Sequence, residues 1–230
     1  MCGRYSFTTP LEAVKRLFRF QGNLNLGPRY NIAPTQAAPV LRRQVPGDAV
    51  PTIAQLRWGL VPAWAKDTSI GARMINARVE TAALKPAFRK AFRRRRCLVL
   101  TDGFYEWRTT DGSKQPYRLA LADDAPFAFA GLWEAWRPPD GETIESFAIL
   151  TTDATAAIRA IHDRMPVILP AALHEPWLDV AREVEADWLR PHAGEDLKAY
   201  PIGRHVNSVR HDDPACWVPQ ALPATQAKLF

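Results

Sequence analysis

The sequence predicts an α+β fold: a single domain with a mainly antiparallel, barrel-like β core and peripheral helices. Three observations lead there. Runs of strand composition outnumber runs of helical periodicity. The two kinds do not alternate regularly, as they would around a doubly wound parallel sheet. No repeat, low-complexity linker or Gly/Ser-rich stretch divides the 230 residues, a length that can bury a sizeable core as one unit.

Taken in order, Thr9-Pro10-Leu11-Glu12 reads as a capping box with proline at the first helical position. Leu11, Val14, Leu17 and Phe18 follow at helical spacing, and Gly22 offers a stop. Residues 27–39 are rich in turn formers and read as an irregular surface loop. Strand-like runs follow at residues 40–44, 53–58, 97–107, 117–121, 127–133 and 147–151. Residues 81–92 have helical character, interrupted at Pro86, which lacks a backbone donor. Asp153 is placed to cap a short helix reaching Ile161. Residues 167–169 read as one more short strand, and residues 171–189 as a longer helix with Pro176 as a local obstacle. The domain is expected over residues 2–220, and residues 221–230, without a packing signal, as a flexible tail.

Composition narrows the class. Hydrophobic residues make up 47% and charged residues 23%, as in globular proteins. No apolar run reaches bilayer length, and Met-Cys-Gly-Arg-Tyr is not a secretory signal. The cysteines Cys2, Cys97 and Cys216 have no C-x-x-C spacing, so neither a disulfide framework nor a metal is expected, and no cofactor is called for. A reducing cytoplasm is the expected location, close to the nucleoid in a prokaryote. The net charge of +6 suits solubility and phosphate attraction equally.

Cys2 holds the most specific chemistry. An initiator methionine is normally removed before a small side chain, which would leave Cys2 with an α-amine beside its thiol. The two groups titrate near ~8 and ~8.5, so both have accessible nucleophilic forms at neutral pH. Together they can condense with an aldehyde: the amine gives an imine, and the thiolate closes a five-membered thiazolidine. An internal cysteine cannot do this, because its nitrogen is an amide. Position alone favours an uninvolved terminus, so the other residues decide.

Asn76 could orient a substrate through its amide, and Arg78 could pair with phosphate. Glu106 lies between aromatics at the end of an apolar run, where desolvation raises a carboxyl pKa and suits it to proton transfer; the solvent face of a strand is an equal alternative. His162, in Ile161-His162-Asp163-Arg164, titrates in a range suited to proton transfer, although helix-terminal histidines are common. Trp58, Trp64 and Trp107 could stack on unpaired bases, with Arg4, Arg29 and Arg78 on phosphates. Tryptophans more often fill cores. The run Arg93-Arg94-Arg95-Arg96 is more often a solvated face than a contact surface, and is set apart from the site.

These residues fall within an ordered series of motifs. Cys2-Gly3-Arg4-Tyr5 comes first, then Arg29-Tyr30-Asn31-Ile32-Ala33-Pro34 and Trp58-Gly59-Leu60-Val61-Pro62-Ala63-Trp64. Asn76-Ala77-Arg78-Val79-Glu80-Thr81, Gly103-Phe104-Tyr105-Glu106-Trp107 and Gln115-Pro116-Tyr117 follow. Ile161-His162-Asp163-Arg164-Met165-Pro166 and Val206-Asn207 complete it. Anchored at residue 2, the series resembles the SRAP family (SOS-response-associated peptidases, or abasic-site processing proteins) from Met1 to about Cys216. The resemblance implies a curved β core and a positively charged channel for single-stranded DNA. It implies that Cys2 becomes a thiazolidine crosslink to the ring-opened deoxyribose of an abasic site. Asn76 would position the sugar, Glu106 would move protons, and His162 would be the general acid for ring opening. It also implies autocatalytic loss of the residue before the cysteine, and a Schiff-base lyase activity is compatible with the free amine. Arg4, Arg29, Trp64, Arg78 and Trp107 are the expected DNA contacts of a monomeric protein. Two other functions fit the residues: a cysteine peptidase acting in trans through Cys2, His162 and Glu106, and a non-catalytic single-strand-binding module.

Overall fold

The computed structural model describes residues 2–45, 47–110, 112–192, 194 and 196–221. Two sheets form the framework. The larger contains β3 (Ala37–Arg42), β4 (Thr52–Trp58), β5 (Asn76–Arg78), β6 (Arg96–Thr101), β9 (Phe127–Trp136), β10 (Ile144–Asp153), β11 (Arg164–Pro166) and β12 (Ile168–Leu169). The smaller, in spatial order, is β13 (Leu197–Pro201), β8 (Ser113–Leu121), β7 (Gly103–Thr110), β1 (Tyr5–Phe7) and β2 (Arg29–Ile32).

Five strands of the larger sheet close into a barrel. β10 pairs with β4, β4 with β3, β3 with β6, β6 with β9, and β9 returns to β10. Four of these pairings are antiparallel, and β10–β4 is parallel (Phe147↔Trp58). Closure leaves the ring without open edges along the paired segments, and its strands are apolar on both faces because the second sheet covers one side. Val99, Leu100, Ala128, Phe129 and Ile149 are accordingly buried. The smaller sheet docks through β1 and β7: Tyr5 packs edge-on against Trp58 and Phe129 with centroids 5.1 and 6.1 Å away, and Phe104 meets Phe129 at 5.7 Å. Burying such rings stabilises the interface by roughly 2–3 kcal/mol each, so Phe129, shared by both, is the contact whose truncation would do most damage.

β10 outruns the barrel, and this places the site. Beyond Ile149 it leaves β9 and is flanked by β5 in parallel (Thr151↔Arg78) and β11 antiparallel (Thr151↔Pro166). Asn76 and the segment leading into Arg164 therefore stand on opposite sides of one strand.

The α+β, mainly antiparallel, barrel-like architecture is the one expected from sequence, with several local differences. Thr9 does not cap α1 (Leu11–Phe18): Pro10 is the N-cap, with no side-chain cap bond, and the Thr9 N–H donates to Asp102 Oδ2 at 3.2 Å. The buried Asp102 carboxylate, which also accepts from Ser6 and Thr8, outcompetes the helix end. The helix stops at Arg19 (φ 47°), before Gly22. Residues 27–39 hold β2 and the start of β3 in place of an irregular loop, because tertiary pairing supplies their backbone partners. The run at 97–107 breaks at Asp102, sending β6 into the barrel and β7 into the other sheet. Around Pro86 the helix splits into α2 (Val79–Ala82) and α3 (Arg89–Arg94). Asp153 ends β10 and pairs with Arg164, and α4 (Ala156–Arg159) has Thr155 as its N-cap. Residues 171–189 contain the short α5 (His174–Leu178) between two 3-10 turns in place of one long helix. The expected flexible tail lies almost wholly outside the described residues.

Candidate active site

The N-terminal segment is pinned, not frayed. The Tyr105 N–H donates to Arg4 O at 3.0 Å, carrying the β1–β7 pairing beyond β1 toward Cys2. The Cys2 carbonyl accepts from Asn76 Nδ2 at 2.7 Å, and its thiol points at Arg4 O, 3.7 Å away. Cys2 is fully buried. An accessible, ordinary thiol was the expectation; instead burial, and then the nearby Glu106 carboxylate, push its pKa well above the ordinary value.

Glu106 lies on the same face of β7 as Phe104, and Tyr105 on the other face is fully buried as well, so β7 is covered on both sides here and neither face would leave Glu106 to solvent. Its side chain is 3% exposed, and desolvation lifts its carboxyl to about 7. His162 enters from the turn after α4, its N–H bonded to Ile158 O at 3.1 Å. Its Nε2 lies 4.0 Å from Glu106 Oε2, and its side chain is 26% exposed. Nδ1 accepts the Arg164 N–H at 3.0 Å while sitting 2.8 Å from Asp163 Oδ1. It cannot accept from one and donate to the other. The backbone bond governs, because Asp163 is solvated and burial lowers the His162 pKa, favouring a neutral ring with its proton on Nε2 toward Glu106.

Arg164 braces this arrangement. It contacts Glu80 Oε1 at 2.7 Å, Asp153 Oδ1 at 2.7 Å and Thr151 O at 2.6 Å, tying α2, β10 and β11 together. From sequence Arg164 was only a neighbour of His162; that it clamps Glu80 from a distant motif depends on β10 lying between them. A cleft of about 520 Å³ opens over Glu106 and His162, lined also by Trp107, Thr109, Lys114 and Asn207. Thr109 and Lys114 had no sequence signal beyond residue type.

The expected DNA-contact residues fall into two groups. Arg78 is exposed on β5 beside Asn76, Trp64 is 58% exposed, and Trp107 lines the cleft with its indole N–H on Asn207 Oδ1 at 2.8 Å. Arg4 and Arg29 are half-buried and tied to protein partners: Arg4 Nη1 meets Asn31 Oδ1 at 2.8 Å and Val206 O at 2.7 Å, and Arg29 pairs with Asp212 and with Gln36 Oε1 at 2.7 Å. Trp58 is a core residue, fully buried with its N–H on Ile75 O at 2.9 Å. His205, Asp213 and Cys216 bring ligand-type atoms within 4.8 Å of one another. His205 and Asp213 already satisfy each other at 3.0 Å. Among the described residues no helix is long and apolar enough to cross a membrane.

A carboxyl tuned near neutrality and a neutral imidazole under an open cleft, with a buried thiol and an amide bonded to its backbone close by, are groups capable of nucleophilic attack with proton transfer. The chain belongs to the SOS response associated peptidase (SRAP) family, whose model matches residues 1–209. It is 37% identical to the abasic site processing protein YoqW of Bacillus subtilis over 93% of this chain and 97% of that protein. It is 34% identical to the abasic site processing protein HMCES of Gallus gallus, over 85% of this chain and 67% of that one. A solved protein from Bacteroides thetaiotaomicron shares its fold with a TM-score of 0.85 and 28% identity, over 96% of this chain and all of the other.

Proposed function

We propose that this protein processes abasic sites in single-stranded DNA by covalent capture at Cys2. With Met1 attached the Cys2 nitrogen is an amide, so removal of Met1 is the enabling step, by self-cleavage or by an aminopeptidase. The freed amine then adds to the aldehyde of the ring-opened deoxyribose, and loss of one water gives an imine. The thiol adds across the C=N bond, sulfur to carbon and proton to nitrogen, closing the thiazolidine. The adduct is protein plus DNA minus one water.

The observation that most supports this reading is the chain of neighbours from three separate segments: Asn76 on the Cys2 carbonyl, Glu106 near enough to act on the Cys2 thiol, and His162 at 4.0 Å from Glu106. Asn76 holds the Cys2 carbonyl, and its buried Oδ1 has no hydrogen-bond partner among the described residues, leaving an acceptor for a sugar hydroxyl. Glu106, with a pKa of about 7, takes the thiol proton that burial makes hard to lose. His162 donates from Nε2 to the sugar ring oxygen as the ring opens. Trp107 lines the cleft, Arg78 and Trp64 are exposed, and these side chains suit phosphates and unpaired bases. The imine also allows strand cleavage by elimination, a lyase side reaction.

Intact-mass spectrometry before and after adding an abasic single strand tests the proposal. The expected result is a chain lacking Met1 that gains the DNA mass less one water, and no adduct with Cys2→Ala. Mature protein that forms no adduct would overturn it. Peptide turnover that persists with an uncleaved residue before Cys2 would favour a peptidase acting in trans. Equal, denaturant-sensitive retention of intact and abasic strands would favour a simple binding module.

A further inference from the structure

The arginine run at residues 93–96 stands well away from Cys2. Arg96 begins β6, whereas Thr101 at its other end bonds Ser6 O at 3.0 Å beside the N-terminal strand. Five residues of strand separate those ends by roughly 17 Å. At the Arg96 end a cavity of about 250 Å³ is lined by Arg43, Arg94, Arg95, Arg96, Trp133 and Val180, among others, with no acidic side chain among its described lining residues.

The cations there are only half balanced. Arg43 pairs with Glu175, and Arg95 with Glu134. Arg94 and Arg96 have no carboxylate within ion-pair distance among the described residues. Arg96 is 2% exposed. Its Nη2 donates to Asp179 O at 2.5 Å and Arg182 O at 3.0 Å, while Nε and Nη1 are buried without an acceptor. Trp133 is 7% exposed, its ring 4.0 Å below the Arg42 guanidinium, and its buried Nε1 also lacks an acceptor. Arg43 Nε is in the same condition. Native interiors rarely leave such donors unmatched. Arg57, Arg108 and Arg118 also carry them here, and what sets this cavity apart is that three such side chains line it together. Burial draws the Arg96 guanidinium down to about 10, against the opposing pull of the Asp179 carboxylate beyond ion-pair distance.

We propose that this cavity is a phosphate-binding site, distinct from the Cys2 cleft, in which Arg96, Arg94, Arg43 and Trp133 hold a phosphate group of a small anion or of a DNA strand terminus. Phosphate oxygens accept several hydrogen bonds at once, and the planar guanidinium fork matches them. The site is independent of the chemistry at Cys2.

Calorimetric titration with inorganic pyrophosphate, at ionic strength held constant with NaCl, tests it. Saturable binding at one site is expected, weakened about tenfold or more by Arg94→Glu, as for a lost charge-assisted bond, and abolished by Arg96→Met. Trp133→Phe, which keeps the ring and removes the donor, weakens it too and decides the matter if Arg96→Met does not fold. Absence of saturable heat, or equal affinity in Arg94→Glu, overturns the assignment. Two single strands differing only in a 5′-phosphate separate the sources: a preference erased by Arg94→Glu assigns a DNA terminus. Equal binding of the strands beside retained pyrophosphate affinity assigns a free anion.

Discussion

Replacing Glu106 with glutamine keeps the shape of the side chain and removes its charge, and the effects on stability and on reaction run in opposite directions. The Glu106 carboxyl rises from 4.5 to about 7 because it is buried. Between those values the folded chain holds a proton that the unfolded chain has released, so stability falls as pH rises from about 4.5 to about 7 and the loss is complete above that. At about 1.4 kcal/mol per tenfold change in proton affinity, the cost of the buried carboxylate at pH 8 is about 3 kcal/mol. Glu106→Gln carries no such cost. The substituted protein should melt roughly 6–12 °C higher than the parent at pH 8, with little difference at pH 4.5. Thermal melts of both proteins across this range check it. A difference in melting temperature that stays flat with pH would refute the desolvation argument. If Glu106 is also the proton acceptor for the thiol, adduct formation by the parent rises with pH through about 7, and the same substitution slows it by about 10²-fold or more. A site residue that weakens the fold while it serves the reaction is a familiar compromise.

Three further outcomes follow from the geometry. Asn76→Ala removes the 2.7 Å bond to the Cys2 carbonyl, and single-turnover crosslinking should slow by about 10²-fold while affinity for an intact strand holds. His162→Ala should slow capture of a closed-ring abasic site by about 10²-fold yet leave the reaction with a pre-opened aldehyde nearly unchanged; equal slowing of both would remove His162 from ring opening. Gly59→Ala should cost roughly 2–3 kcal/mol in a urea melt: Gly59 has φ +123°, and an added Cβ would fall 2.6 Å from Gly71 O.

What the linear sequence determines here is mostly local and compositional. Apolar runs of strand-forming residues are enough to locate β4, β8 and β9, because a strand buried on one or both faces needs those side chains wherever it pairs. The family resemblance carried by the ordered motifs points to Cys2, Asn76, Glu106 and His162, whose residue types and local surroundings alone leave uninvolved readings open. Short elements escape that reading. β1, β5 and β13 are three to five residues long and draw their stability from partners distant in sequence, so no local pattern marks them. The helix expected over residues 171–189 fails because packing against the barrel, not periodicity, sets where a weak helix survives.

Only the tertiary structure decides the state of the site. Burial converts Cys2 from an ordinary terminal thiol into one reluctant to ionise, and converts Glu106 from an ordinary carboxylate into a group that titrates near neutrality. It places Arg164 on Glu80 across β10, ties Arg4 and Arg29 to protein partners, and sinks Trp58 into the core. It also encloses Arg96, at the end of a run that reads as a solvated face, beside donors that have no acceptor. The physical reason is common to all of these. Residue type fixes which charges and donors a chain possesses, but their energies depend on the water and partners left around them after folding, and those come from contacts between segments far apart in sequence.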